Sequence, residues 1–322
     1  MNKKVVVLGG GTGLSNLLSG LKQYPLDITA IVTVCDDGNS TGILREEFNI
    51  PAVGDIRRVL VALSETEPLV MELFNYRFKT TSDLDGHTVG NLLLTAATEI
   101  RGNLSDGIEA LSKVLNLKGK VVPLTEDNVV LMAKMADGKT IEGEHCITQA
   151  EGKIEKVYYK DKAIPTQEAL KAIREADLIL LSMGSLFTSI IPKLLIPEIV
   201  EEINKSSSKI MYVCNMMTQP GETDNFKVSD HVSKLNEYLG DRKIDIVLAN
   251  IGEIDEKMAK FYETQEQKDP VFLDEENLKS ENLEVIADDF TYITKNNLLR
   301  HDNIKLGFHI FYYLMQKRNK CN

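Results

Sequence analysis

Cysteine is scarce and scattered in this chain. Its four residues, Cys35, Cys146, Cys214 and Cys321, form no C-x-x-C pair and no grouping with histidine at zinc spacing. A disulfide framework and a structural zinc site are therefore both unexpected, and the thiols read as reduced ones in a cytosol. Long apolar runs are missing too. The longest candidate, Leu178 to Ile191, is broken by Ser182, Gly184, Ser185, Thr188 and Ser189, so nothing approaches the ~18 apolar residues of a membrane span. After Met1-Asn2-Lys3-Lys4 comes an apolar run of four residues, too short for a signal-peptide core. A cytoplasmic location without membrane insertion is expected. Basic charge is also short: the formal net charge is −11 and the isoelectric point near 5.1. Broad nucleic-acid binding needs a basic field, so nucleic acid is not an expected partner. The one basic cluster, Lys317, Arg318 and Lys320, reads as a solvated tail.

What is present is ordinary for a globular α/β chain. The 322 residues are 43% hydrophobic and 26% charged, ample for a large core. Val5 to Leu8, the glycines at 9, 10, 11 and 13, and Leu14, Leu17, Leu18 and Leu21 at helical spacing read as strand, Gly loop and helix. A second apolar run, Ile28 to Val34, ends in Cys35-Asp36-Asp37-Gly38-Asn39-Ser40-Thr41-Gly42, taken as a polar loop. Strands apolar on both faces suit a parallel sheet covered by helices, so a doubly wound, mostly parallel Rossmann-like α/β fold is expected. Helices are expected at 55–63, 68–74, 91–100, 106–115, 166–175 and 302–317, and further strands at 177–181, 210–214, 244–249 and near 283–287. Between them, short alternating segments around Asp137-Gly138, a type I′ hairpin signal, predict an antiparallel β insertion at about 128–162. Residues 263 to 282 read as a charged surface excursion. The chain thus reads as a single α/β unit of two halves, about 1–125 and 165–322; no repeat or Pro/Ser-rich linker divides it.

In open α/β sheets ligands sit beyond the carboxyl ends of the strands, and the unusual residues of this chain fall there. Gly9, Gly10, Gly11, Thr12 and Gly13 offer backbone N–H groups at a helix N-terminus, a phosphate site if not merely a tight turn. Asp36 and Asp37 follow the second strand, where a dinucleotide fold binds a ribose. The loop lacks the third glycine of G-x-G-x-x-G, however, since Leu14 stands there. Paired carboxylates before a small polar loop equally suit Mg²⁺ on a phosphate, or simply cap a turn. Asp55 and Asn91 sit where N-caps would, while His87 between glycines can donate to a phosphate or sugar. Asp36, Asp37 and His87 are the candidates for catalysis. Cys35, beside two carboxylates, should have a raised thiol pKa and is not a nucleophile. Later loops add Gly184, Ser185, Asn215 and Thr218; near the end stands Arg300-His301-Asp302, with Arg300 able to fork onto phosphate and Tyr262 able to stack.

Six of these segments, in order, resemble the bacterial gluconeogenesis-factor (YvcK-like) family: Gly9 to Ser15, Val34 to Gly42, Gly54-Asp55-Ile56-Arg57, Gly86-His87-Thr88-Val89-Gly90-Asn91, Cys214 to Asp224 and Arg300-His301-Asp302. The resemblance implies a cytosolic protein that binds UDP-sugars such as UDP-N-acetylglucosamine and is needed for cell shape and wall synthesis on gluconeogenic carbon. It implies kinship with CofD-like 2-phospholactate transferases, which use Mg²⁺ and a nucleotide-activated donor. On that footing the ligand residues are Gly9 to Gly13, Asp37, Asn39, Ser40, Asp55, His87, Asn91, Gly184, Ser185, Asn215, Thr218, Tyr262 and Arg300, with Asp36 and Asp37 as metal ligands. The implied partners are the UDP-sugar, a protein of wall synthesis and further copies of the chain. No established reaction is implied for the gluconeogenesis factors, so a regulatory binder and a transferase both stand. The chain departs from many relatives at Ser182-Met183-Gly184-Ser185, where Gly-Pro-Gly-Ser is usual, and at Asn39 in place of Gly.

Overall fold

A computed structural model describes residues 2–279 and 283–316, so Cys321 and the basic group near residue 318 lie outside the described residues. Seven strands form one parallel sheet: β1 (Lys3–Gly9), β2 (Leu26–Val32), β3 (Lys120–Pro123), β7 (Leu178–Leu181), β8 (Lys209–Val213), β9 (Ile246–Asn250) and β10 (Glu284–Asp288), in the order β10-β9-β8-β7-β1-β2-β3. Every pairing in it is parallel. The Val and Leu side chains of β1 and β7 are buried on both faces, as central strands between helical layers require. The expected fold class is thus observed. Chain order runs outward in both directions from the β1–β7 pair, which makes their junction the topological switch point.

The first half carries α1 (Gly11–Leu21), α2 (Asn39–Phe48), α3 (Gly54–Leu63), α4 (Pro68–Asn75), α5 (Val89–Arg101) and α6 (Leu104–Val114). Helix α2 corrects the expectation of a loop up to Gly42. Its small polar residues have poor helix propensity, but Ser40, Thr41, Leu44 and Arg45 are buried and packing overrides propensity. Three antiparallel strands form the insertion, β4 (Leu131–Met135), β5 (Thr140–Glu142) and β6 (Ile154–Tyr159), with an unexpected helix α7 (Glu144–Gln149) between the last two. The Asp137-Gly138 hairpin is present but is not type I′. Only Gly138 has positive φ, and its N–H donates to Met135 O at 3.0 Å, giving a turn centred on Ala136-Asp137 and closed by a left-handed glycine.

The second half adds α8 (Gln167–Glu175), a π turn at Leu186–Ile190 continuing into a 3-10 turn at Ile191–Leu194, α9 (Pro197–Lys205), α10 (Val228–Asn236), α11 (Glu256–Glu266), α12 (Glu275–Leu278), the small hairpin β11 (Thr291–Ile293) with β12 (Leu299–His301), and α13 (Asn303–Gln316). The stretch from 263, expected to be only an excursion, thus contains the end of α11 and all of α12. No described helix is long and apolar enough to cross a membrane.

Helix α1 buries Leu14, Leu17, Leu18 and Leu21 and packs on α3 and α13. A Cβ on Gly20 would stand 1.8 Å from the carbonyl oxygen of Asn303, so α13 starts in direct backbone contact with α1. Tyr24 donates to Ile304 O at 3.0 Å and Asn16 Nδ2 to His301 O at 2.8 Å. These contacts carry the far end of the chain back to the first Gly loop.

Candidate functional site

One large cavity, about 590 Å³, opens at the carboxyl edge of the sheet at the switch point, within the ~300–1,000 Å³ common for ligand sites. The first Gly loop forms its floor. Four glycines there divide into two pairs with different physical roles. Gly9 and Gly13 are packing residues: a Cβ would stand 1.8 Å from Ser182 Oγ and 2.1 Å from Met183 O respectively. Gly11 has φ +63°, which disfavours side chains, and a Cβ there would meet no protein atom within 4 Å because it would project into open space. Gly10 is the N-cap of α1, and no side chain caps that helix. Its first N–H groups, with the positive dipole end, are open to an anion.

Gly10 also lets two charges approach the floor. A Cβ on it would lie 2.7 Å from Asp55 Oδ2 and 3.2 Å from Lys193 Nζ. Lys193 is fully buried and donates to Ser189 O. Burial drives its pKa down to about 8 against the attraction of Asp55. Nothing in the sequence singled out Lys193, a lone cation in an apolar run. Asp55 and Asn91 are not the N-caps expected. The N-cap of α3 is Val53, and α5 is capped by Thr88, whose Oγ1 accepts from Asn91 N at 3.4 Å. Asp55 and Asn91 are instead buried residues that line the cavity.

The Asp36-Asp37 pair is split. Asp36 lines the cavity, whereas Asp37 Oδ1 accepts from His145 N at 2.8 Å and fastens α7 of the insertion to the loop after β2. That contact brings Glu144 and His145 to the cavity wall. The acidic partners of Asp36 are therefore Asp55 and Glu144, while Asp37 is turned to the insertion. Burial and then Asp55 raise the Asp36 pKa; burial, then Asp36 and Asp55, push Glu144 up to about 8. The burial and the neighbouring carboxylates favour the protonated form of Glu144, which can donate a hydrogen bond.

The remaining expected residues sort in the same way. Asn39, Ser40, Gly184, Ser185 and Asn215 line the cavity. His87 stands behind the wall, with Nδ1 2.9 Å from Ser40 Oγ, so it orients Ser40 rather than facing a ligand. Thr218 is buried away from the cavity, and its Oγ1 accepts from Asp269 N at 2.8 Å. Cys35 is buried and its thiol pushed up to about 12, chiefly by desolvation, as expected of an inert strand-end residue.

On the opposite side Arg300 and Tyr262 line the cavity. Arg300 belongs to strand β12 rather than to the start of a helix, and Asp302 caps α13 by accepting from Lys305 N at 3.0 Å. The guanidinium makes no ion pair with Asp302; Nη1 donates to Leu299 O at 2.7 Å. Beyond the ladder to β11, three side-chain hydrogen bonds fix its strand. Besides Asn16, His301 Nε2 donates to Cys214 O at 3.1 Å, and Leu299 N donates to Tyr262 Oη at 2.9 Å. Burial lowers the His301 pKa to about 4, so this hydrogen bond persists in the neutral ring. Tyr262, only 4% exposed and packed with Met216 and Leu299, thus supports the Arg300 strand as well as the wall.

Glu222 props up the π turn behind this wall, accepting from Phe187 N at 2.9 Å and Thr188 Oγ1 at 3.3 Å. Burial raises its pKa from 4.5 to about 7. Between those values the folded state keeps a proton that the unfolded state releases, so stability falls as pH rises through that window. Glu222→Gln should flatten this loss and raise the melting temperature by a few degrees at pH 8 relative to pH 5. Melting curves of both proteins across that range check it; parallel curves contradict it.

The family model described as 2-phospho-L-lactate transferase CofD matches residues 5–291. The chain is 49% identical over 306 residues to the gluconeogenesis factor of Bacillus subtilis (strain 168), covering 94% of this chain and 96% of that protein. It is 46% identical over 306 residues to the gluconeogenesis factor of Halalkalibacterium halodurans, covering 95% and 94%. A crystal structure of a protein from Bacillus halodurans superposes with a TM-score of 0.93 at 45% identity, over 96% of this chain and 99% of that one.

Proposed function

The chain belongs to the CofD family and is closely similar to its gluconeogenesis factors, and from that premise we propose that it is a cytoplasmic, UDP-sugar-binding regulatory protein. In this reading it serves cell morphogenesis and wall synthesis during gluconeogenic growth, as a homo-oligomer that signals to a protein of wall assembly. One observation carries the ligand assignment: an uncapped helix N-terminus at Gly10–Gly13 faces the braced strand of Arg300 across a single cavity. The N–H groups of the loop would take the diphosphate, where neither a Cβ nor a cap competes. Arg300 supplies a forked donor for phosphate or a carbonyl edge, and the Tyr262 ring an apolar wall for base or sugar.

A second reading is a transferase of the 2-phospholactate type, favoured by Asp36 and Asp55 standing together at the phosphate end. Among the described residues no group of three or more His, Cys, Asp or Glu forms a metal cage. Two carboxylates nevertheless fit Mg²⁺, which usually takes one or two carboxylates plus ligand phosphates. Asp36 and Asp55 would hold it, and when bound it would neutralise phosphate charge.

A thermal-shift panel of UDP-sugars, GDP, NAD and Mg²⁺ tests both readings. A ligand bound only by the folded state adds about 2.7 kcal/mol at a hundredfold excess over Kd. UDP-N-acetylglucosamine should raise the melting temperature while NAD does not. A Mg²⁺-dependent gain with GDP would favour the transferase, and a response to NAD alone would overturn both.

A further inference from the structure

Lys193 puts a positive charge beside the Gly loop and out of reach of solvent, at 0% exposure. It lies on the 3-10 turn Ile191–Leu194, among buried apolar neighbours. Its Nζ donates to two neutral acceptors, Ser189 O and, at 3.5 Å, Thr33 Oγ1, while Asp55 pairs with Arg58 at 3.0 Å. An ammonium buried on neutral partners costs stability, and a well-packed apolar residue would ordinarily serve the fold as well or better. What Lys193 offers instead is charge at one place. The Cβ position of Gly10 is 3.2 Å from its Nζ and 2.7 Å from Asp55 Oδ2, so cation and carboxylate reach the N-cap of α1 together. The same floor gathers Asp36 and Glu144. Beyond burial, Asp55 raises the pKa of Asp36, and Asp36 and Asp55 raise that of Glu144. Negative charge is thus crowded at the end of the cavity where an anionic diphosphate would lie.

We propose that Lys193 is the built-in counter-ion of this floor: it supplies the positive charge that a bound divalent cation would otherwise bring, so the Gly loop takes the diphosphate without Mg²⁺. The inference rests on the nucleotide reading and deepens it, since it sets the form of the ligand as the metal-free nucleotide rather than its Mg²⁺ chelate. Because Nζ is closed to solvent, Lys193 acts across Gly10 as a positioning charge, through an interior in which one charge is felt more strongly than in water. A divalent ion on Asp36 and Asp55 would be repelled by this fixed cation, which weighs against the transferase reading.

The test is calorimetric titration of UDP-N-acetylglucosamine in EDTA and in excess Mg²⁺, with inorganic pyrophosphate in parallel as the diphosphate alone. Wild-type affinity should be equal in the two buffers. Lys193→Met, unbranched and similar in shape, should fold with an unchanged or higher melting temperature. It should bind about tenfold or more weakly in EDTA and recover in Mg²⁺, as the carboxylates released from Lys193 take the ion. Lys193→Gln, which keeps a donor for Ser189 O, should show the same pattern and replaces the Met variant if that one does not fold. Wild-type binding that requires Mg²⁺, or wild-type affinity of either variant in EDTA, overturns the proposal. So does a loss that Mg²⁺ fails to restore, the mark of a lysine that only props the π turn. Pyrophosphate showing this pattern while UDP-N-acetylglucosamine does not bind would sink the nucleotide reading alone, and binding of neither would sink both.

Discussion

Gly11→Val should abolish UDP-N-acetylglucosamine binding, with a loss beyond about a hundredfold, or about 2.7 kcal/mol. The new side chain meets no protein atom, since a Cβ at this position has nothing within 4 Å. It would occupy the space in front of the α1 N-terminus that the diphosphate needs. Folding should also suffer, because a β-branched residue at φ +63° is strained, at a cost of about 1–3 kcal/mol. That is a fraction of the stability of most domains, so the variant remains testable as folded protein. Calorimetry and a melting curve separate the effects. A lower melting temperature with unchanged affinity would reduce the loop to a turn.

Arg300→Ala should weaken the same ligand by tenfold or more, the equivalent of the ~1.5–3 kcal/mol of a charged hydrogen bond. The melting temperature of the free protein should barely change. Among the described residues the guanidinium has only the neighbouring Leu299 carbonyl as partner and no ion pair to lose, while β12 stays fixed through β11, Asn16, His301 and Tyr262. Equal affinity with a lowered melting temperature would make Arg300 a structural residue. Tyr262→Phe offers a contrast. It keeps the ring but removes the Leu299 acceptor, so any effect on binding should be smaller and accompanied by lower stability.

Much of the fold was legible because apolar runs and glycines punctuate it. Val5 to Leu8, Leu178 to Leu181 and Ile210 to Val213 are buried on both faces and needed no tertiary information to be read as parallel strands. Helix α2 was hidden by Asn39-Ser40-Thr41-Gly42, whose propensities are those of a loop until Leu44 and Arg45 find their burial. Strand β3 is a four-residue element ending in Pro123, too short to give a pattern. The assignment of Asp36 and Asp37 to one ligand rested on their adjacency in the sequence. Both lie in the loop past the end of β2, where the inserted α7, invisible to local pattern, takes Asp37 while Asp36 lines the cavity. Asp55, Lys193 and Glu144 come together only through tertiary structure. No local spacing links a helix start, an apolar turn and the helix of the insertion.

The central claim is that a nucleotide diphosphate lies on the first Gly loop with its remainder toward Arg300. A crystal structure of the protein with UDP-N-acetylglucosamine tests it most directly. The diphosphate should lie within hydrogen-bond distance, about 3 Å, of the N–H groups at Gly11 to Gly13, with the uridine or sugar against Tyr262 and Arg300. Ligand bound with those N–H groups still open, or bound away from the β1–β7 junction, would contradict the account.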